Sequence, residues 1–486
     1  MNKPLRFSLS LAATVLALAG CAVGPEYQRP TTDVPDAFKE ASMSPEAAKL
    51  WKQAQPSDSM ERGRWWTVFK DTQLNDLEEQ AMTANQDLKA AAARVAQARA
   101  LTKDARAGLF PRIDGGFGPT RQRTSNASQS LPEDAFNGPS TLWRAQAAVS
   151  YEVDLFGHVA AQVDAATAGA QQSQALFRSV LLALQADVAQ AYFLVRRLDA
   201  EKALYRDTVE LRKKTLELIE RRYAEGDISE LDVARARSEL ESARSQSLGV
   251  DRHRAIAEHA LAILLGKPPA DFAMAPQPLQ QVAVGIPAGL PSSLLERRPD
   301  IAAAERAMAA ANAQVGAAQA AFFPRLVITG AFGYESSQLG DLFEWSSRAF
   351  LLGPLVGTML SLPIFDGGQR EAGLDRARAE YEEDVAIYRQ TVLNAFREVE
   401  DNLSSLRILG SQTQVQDAAV QSAARAAELS QIQYREGSTS YLDVIDADRA
   451  VLQQKRTAVL LYGERAQAAV NLIRAIGGGW DPVVDM

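Results

Sequence analysis

YREGSTSYLDVIDADRAVL, residues Tyr434–Leu452, has a partner earlier in the chain, YAEGDISELDVARARSEL at Tyr223–Leu240. With Tyr223 set on Tyr434, Glu225 meets Glu436, Gly226 meets Gly437, Ser229 meets Ser440, Leu231 meets Leu442, Asp232 meets Asp443 and Val233 meets Val444. Matches at one constant offset are an internal repeat, and a repeat decides architecture before other signals do. Each copy ends one long helical pattern and begins another. The chain therefore reads as two copies of a long helical hairpin, with these loops at the turns.

The rest of each copy supports the duplication. AGLFPRI at Ala107–Ile113 matches AAFFPRL at Ala320–Leu326, and Asp87-Leu88 matches Asp300-Ile301 at the same offset. The Ala-, Leu- and Glu-rich segment Leu74–Leu109 predicts one helix that stops at Phe110-Pro111. After each Phe-Pro-Arg the period changes from helix to strand. In Trp143–Leu155 the residues Trp143, Ala145, Ala147, Val149, Tyr151, Val153 and Leu155 alternate with mostly polar ones, over the length a tilted strand needs to cross a bilayer. Leu326–Tyr334 and Val356–Ile364 are the strand candidates of the second copy, with Thr120–Thr141 and Glu335–Ala349 as connections. Period 2 alone also fits the edge of a soluble sheet. Four strands cannot close a barrel, which needs about eight, and an open edge is not tolerated in lipid. Membrane strands would require several chains to share one barrel, most simply three chains in a ring.

Proline is absent from Gly157 to Tyr223 and from Gly367 to Tyr434, so each run predicts a helix on the order of 100 Å long. Leu176, Val180, Leu184, Val188, Ala191, Val195 and Leu198 form a stripe on the first, and Tyr381, Val385, Tyr388, Val392, Phe396, Val399, Leu403 and Leu406 one on the second. Narrow stripes with polar flanks suit coiled-coil packing. The return helices run to Leu265-Gly266 and Ile476-Gly477, glycine serving as the cap.

The resulting division is a signal peptide at 1–20, an anchor and extended strap at 21–63, a first repeat at 64–267, a linker at 268–291, a second repeat at 292–477 and a tail at 478–486. Within the first repeat the hairpin lies at about 112–156, the long helix at 157–223, the tip at 224–229 and the return helix at 230–265. Their counterparts are about 325–365, 367–434, 435–440 and 441–476.

The start of the chain reads as an export signal. Lys3 and Arg6 precede an apolar run, Phe7 to Ala19, too short to span a membrane. It ends Leu18-Ala19-Gly20-Cys21, which resembles a bacterial lipobox, and Cys21 is the only cysteine. An acylated Cys21 would anchor the chain, each buried methylene adding roughly 0.8 kcal/mol of membrane affinity. Ala22 in place of aspartate resembles sorting to the outer membrane. One cysteine allows no internal disulfide. A net charge of −8 argues against a nucleic-acid partner. His158, His253 and His259 lack the neighbours that a metal site or a catalytic triad needs. No cofactor, metal or enzyme activity is expected.

Taken in order, Cys21 with Gly24-Pro25-Glu26-Tyr27, Trp65-Trp66 with Phe69 and Asp71, Leu294–Ile301, Ala304-Glu305, Phe323-Pro324, Pro363–Gly368 and the terminal Gly-Gly-Gly-Trp480 resemble the TolC-like outer-membrane channel proteins, in their lipoprotein branch typified by OprM. That resemblance implies a mainly α fold with membrane β. Its long helical periplasmic barrel would be joined by four strands per chain in a twelve-stranded barrel shared by a homotrimer. It implies a passive duct working with a periplasmic adaptor and an inner-membrane pump, most often of the proton-driven RND (resistance, nodulation, division) class.

Carried over by position, Leu442, Asp443 and Asp446, with Arg449 beside them, narrow the periplasmic aperture. A ring of carboxylates repels itself and selects cations. Asp232 and Tyr434 match a latch between the two tips, but the arginine of that latch falls on Thr439. Gly226 and Gly437 are turn glycines first and would leave a flat tip for the adaptor. Simpler readings stand beside these. Ser229-x-x-Asp232 and Ser440-x-x-Asp443 fit a capping box, and Asp446 with Arg449 fits an exposed ion pair worth about 0–1 kcal/mol. A duct for protein secretion and a non-conducting coiled-coil spacer are the rival functions.

Overall fold

The computed structural model describes residues 23–31, 34–35, 38–40, 63–130, 132–136, 138–277, 279, 297–352 and 359–478. The signal peptide, Cys21, most of the strap, much of the linker and Trp480 lie outside them. The described elements are seven α-helices and five strands. The helices are α1 (Thr72–Ala84), α2 (Gln86–Ala107), α3 (His158–Ala224), α4 (Glu230–Leu264), α5 (Pro299–Ala320), α6 (Gln369–Arg435) and α7 (Tyr441–Ala475). The strands are β1 (Arg112–Gln122), β2 (Ser140–Val153), β3 (Arg325–Ser336), β4 (Arg348–Leu352) and β5 (Leu360–Ser361). No described helix is long and apolar enough to cross a membrane. The chain divides into two compact units. One takes residues from Met1–Thr31, Val95–Ser173 and Ala304–Tyr388, and the other takes the remainder.

The first unit holds the sheet. Its strands run antiparallel in the order β1-β2-β3-β4, with β5 also on β3. The register stacks Ile113, Val149 and Gly330 in one row and Phe117, Ala145 and Tyr334 in another. Since side chains alternate across a strand, Ile113, Phe117, Trp143, Val149, Ile328, Phe332 and Phe350 share one face. Ile113, Phe117, Phe332 and Phe350 on it are exposed. The opposite face carries Arg144 on Glu335 at 2.8 Å and Arg325 on Glu152 at 2.5 Å. Pro119 sits in β1, an edge strand of this sheet, opposite Trp143 of β2.

The fourth strand differs from expectation. Its pairing begins at Arg348, inside the stretch assigned to a connection, and resumes at Leu360, while residues 356–358 of the expected Val356–Ile364 strand lie outside the described residues. Hydropathy alternation is weak here, and the partner strand β3 sets the register.

In the second unit the core gathers on Trp65 and Trp66. Their rings meet edge to face at 5.9 Å, Trp65 meets Phe69 at 6.4 Å, and Phe69 meets Phe193 of α3 at 4.9 Å. Leu184, Val188, Val195 and Leu198 of the expected α3 stripe are buried there, while Leu176 stays half exposed. Asp71 caps α1 through the amides of Gln73 and Leu74 and accepts the Tyr192 hydroxyl at 2.5 Å.

The helix expected from Leu74 to Leu109 is broken at Asn85. The Asn85 side chain accepts the Leu88 amide at 2.9 Å and donates to the Leu264 carbonyl at 2.9 Å. It thereby starts α2 and ties it to the end of α4, a competition between local side-chain bonds and helix that asparagine often wins. The second copy makes the same joint with different chemistry, Arg298 donating to the Ala475 carbonyl at 3.0 Å. Gly266 ends the first return helix at φ +66°, and a Cβ there would lie 2.5 Å from the Ala84 carbonyl oxygen, so both conformation and space demand glycine.

Glu78 lies on the buried face of α1 with Leu74, Leu77 and Ala81. Neither of its carboxyl oxygens has a partner among the described residues. Burial pushes its pKa up to about 9, so it is carried as the neutral acid at pH 7. A folded pKa above the unfolded 4.5 means stability is greatest below the unfolded value and falls as pH rises towards the folded one. Glu78→Gln is expected to raise the melting temperature of the detergent-solubilised protein at pH 7, corresponding to on the order of 3 kcal/mol of stability, and to have little effect at pH 4.5. Equal shifts at both pH values in a thermal denaturation series would contradict a neutral Glu78.

Candidate functional site

The two tips close in the same way. In the first, Gly226 N–H donates to Tyr223 C=O at 3.0 Å and Asp227 N–H to Arg222 C=O at 3.0 Å. In the second, Gly437 N–H donates to Tyr434 C=O at 3.1 Å and Ser438 N–H to Gln433 C=O at 2.9 Å. Both pairs satisfy carbonyls that a helix end leaves open. Gly226 at φ +82° and Gly437 at φ +76° take the left-handed position this turn requires, and a Cβ on either would meet nothing within 4 Å. The tips are thus smooth and backbone-rich at their apex.

The next helix start separates the copies. Ser440 and Asp443 form a full capping box, with Ser440 N–H on the Asp443 carboxylate at 3.0 Å and Asp443 N–H on the Ser440 hydroxyl at 3.4 Å. The Thr439 hydroxyl donates to the same carboxylate at 2.6 Å and the Ser440 hydroxyl at 2.7 Å. These donors, Thr439 first, hold the Asp443 carboxyl below the usual range, so an exposed negative charge persists at the tip. Thr439, where the resembling family has an arginine, serves this cap. In the first copy the box is incomplete. The Asp232 carboxylate accepts from the Ser229 hydroxyl at 3.2 Å and from Arg235 at 3.5 Å, and Ser229 makes no side-chain cap bond. At the repeat offset Arg235 corresponds to Asp446. A base in the first tip is an acid in the second, so no base stands three residues after Asp443 as Arg235 does after Asp232.

Leu442, Asp446 and Arg449 lie on one exposed face of α7, four and then three residues apart. Tyr441, Val444 and Ile445 turn inward onto Ile219 of α3 and Ala236 of α4, with Tyr434 packed against them. No hydrogen bond joins Tyr434 to Asp232. The Tyr434 hydroxyl is buried without a partner among the described residues, and the Arg222 guanidinium lies 5.2 Å from its ring centre. Burial raises the hydroxyl pKa, opposed by the nearby Arg222 charge and assisted by that of Asp232. Arg222 occupies the ring face and Asp232 turns to its own helix, so the expected direct bond has no place.

Arg449 is 3.4 Å from Asp446, the spacing read from the sequence, but its closer partner is Glu239 of α4, at 3.0 Å from Nε and 2.5 Å from Nη2. Glu239 is 9% exposed and also pairs with Arg212 of α3 at 2.9 Å. Sequence reading missed Glu239. At the repeat offset it meets Ala450 and Arg449 meets Ser238, so neither copy repeats the pair and only the packing of one hairpin on the other creates it. Asp448, half-buried behind this group, accepts from Gln431 at 3.1 Å, and burial raises its pKa.

Known proteins share this architecture. The model of the "Outer membrane efflux protein" family matches residues 77–267 and 290–478, one stretch for each copy. Outer membrane protein OprJ of Pseudomonas aeruginosa is 34% identical over 488 residues, which span 99% of this chain and 97% of that protein. The toluene efflux pump outer membrane protein TtgF of Pseudomonas putida is 36% identical over 479 residues, 98% of this chain and 97% of that protein. Among solved structures, the Campylobacter jejuni CmeC outer membrane channel superposes with a TM-score of 0.85 at 25% identity, over 96% of each chain. The chain belongs to the outer membrane efflux protein family.

Proposed function

We propose that three copies of this chain form the outer-membrane exit duct of a tripartite efflux system. The observation that carries the reading is the sheet, apolar on one face, ion-paired on the other, and open at both edges. Lipid gives its free edge groups no partner, whereas neighbouring copies do, and three chains of four strands close a barrel of twelve. Exposed apolar residues at seven-residue steps, Leu211 and Leu218 on α3 and Ile408 and Val415 on α6, supply further seams for a neighbour. The duct has no energy source or catalysis of its own. A periplasmic adaptor and an inner-membrane pump of the RND class load it, with the exposed tips at Gly226 and Gly437 as the adaptor's contact. Small molecules are its cargo, in keeping with the name of TtgF.

Cys21 is the lipid attachment point. The residues just after it support this. Val23 N–H lies 3.4 Å from the Phe156 carbonyl, just past the end of β2. Gly24 packs on Gly316 of α5, Asn312 donates to the Pro25 carbonyl at 2.9 Å, and Tyr27 donates to Glu305 at 2.7 Å. An acyl chain on Cys21 would start two residues from the foot of the sheet. Cys21→Ser is expected to abolish incorporation of labelled palmitate while the trimer still inserts, and label retained by the variant would sink the assignment.

Leu442, Asp443, Asp446 and Arg449 form the periplasmic aperture, where threefold symmetry gathers three copies of each acid. Planar-bilayer recording of the native protein is expected to give a small, cation-selective conductance that rises severalfold in Asp443→Ala/Asp446→Ala. A large conductance unchanged by the substitutions would move the gate elsewhere. No conductance from a folded trimer would overturn the duct.

A further inference from the structure

The tip half of α7 is held to the first hairpin by the apolar contacts of Tyr441, Val444 and Ile445 and, beyond them, by charge. Glu239 is buried, and Arg212 already neutralises it, with one guanidinium nitrogen on the carboxylate at 2.9 Å and another on the Glu239 carbonyl at 2.7 Å. A second arginine is not needed to satisfy that carboxylate. Arg449 is the partner that depends on the contact. Its side chain is about half exposed, and it holds Glu239 through two nitrogens while touching Asp446 through one at 3.4 Å. Two charge-assisted bonds to a buried acid outweigh one long contact to an exposed acid.

Seven residues along α7, on the same face, Arg456 repeats the motif on Glu201 of α3 at 2.9 Å, another buried acid with a second arginine, Arg197, at 3.5 Å. Farther from the tip the seam changes character. Gly463 receives the Arg197 stem, and Ala466, Val470 and Ile473 join the apolar core. Ion pairs regain hydration when they separate, while apolar surface does not. Separation of the tip half of α7 from the first hairpin must therefore break the Arg449 contact as well as the apolar one made by Tyr441, Val444 and Ile445.

We propose that Glu239 is a positioning residue for the aperture, holding the Arg449 guanidinium back against the first hairpin. The contact keeps α7 in the narrow state and keeps a cation from neutralising the Asp446 ring. This inference rests on the reading of Asp443 and Asp446 as the aperture.

The test compares conductance and the potassium-to-chloride permeability ratio in planar bilayers, for trimers verified on unheated gels. Glu239→Gln is expected to raise conductance severalfold and lower the permeability ratio, because Arg449 is released towards Asp446. Arg449→Gln is expected to raise conductance equally and raise the ratio, because the cation is gone. The double variant should match Arg449→Gln alone, since Glu239 acts through Arg449. A general loosening of the tip would instead move both ratios the same way and add in the double variant, and that result overturns the proposal. Should Glu239→Gln fail to assemble, Glu239→Asp keeps the charge beside Arg212 but withdraws it from Arg449, and native behaviour of that variant would count against the proposal. Native conductance in Glu239→Gln, with Asp443→Ala/Asp446→Ala still opening the channel, would refute the role of Glu239 and leave the aperture in place. If neither opens the channel, the aperture reading and this inference fall together.

Discussion

Backbone groups cannot be left unpaired in lipid, and the architecture of this chain follows from that constraint. Its sheet has four strand positions and two free edges, β1 on one side and β4 with β5 on the other. No rearrangement of four strands closes them. The apolar face, with Ile113, Phe117, Phe332 and Phe350 exposed, suits hydrocarbon, and the face carrying Arg144–Glu335 and Arg325–Glu152 suits water. In the proposed trimer, other copies of the chain complete that sheet.

Duplication supplies the helices cheaply, and the copies keep geometry more faithfully than chemistry. Asn85 and Arg298 occupy equivalent joints and each donates to the last turn of a return helix, at Leu264 and at Ala475. One does it with an amide and the other with a guanidinium. Gly266 and Gly477 follow at φ +66° and +87°, each under a neighbouring backbone. What is conserved between the halves is a donor pointing at an open carbonyl and a residue without a side chain beside it. These are requirements of helix ends.

The tips show the opposite trade. Their turns match bond for bond, yet the helix starts after them differ. Asp443 is drawn into a cap by Thr439 and Ser440, whereas Asp232 pairs with Arg235. Replacement of that arginine by Asp446 removes the local counter-charge. Arg449 is the nearby base on α7, and it is engaged mainly by Glu239 of the other hairpin. Divergence between the copies thus generates both Asp446 and the Arg449–Glu239 contact.

The sequence by itself determined the duplication, the tip turns, the helix-to-strand changes after each Phe-Pro-Arg and the capping pair Ser440 and Asp443, because each is written in residues a few positions apart. Periodicity, proline and glycine report on the backbone within one or two turns. Local patterns failed where a distant carbonyl decides, as at Asn85, whose bond to Leu264 breaks an otherwise good helix. They failed in the fourth strand, whose pairing is set by β3. They failed again at Tyr434, where Arg222 takes the place expected of Asp232. Glu239 had no signal of its own, being one acid among many on a polar helix. Only the tertiary structure, by fixing how α4 meets α7, gave it two arginines and buried it. An ion pair between two hairpins depends on their mutual register, and no residue within either hairpin encodes that alone.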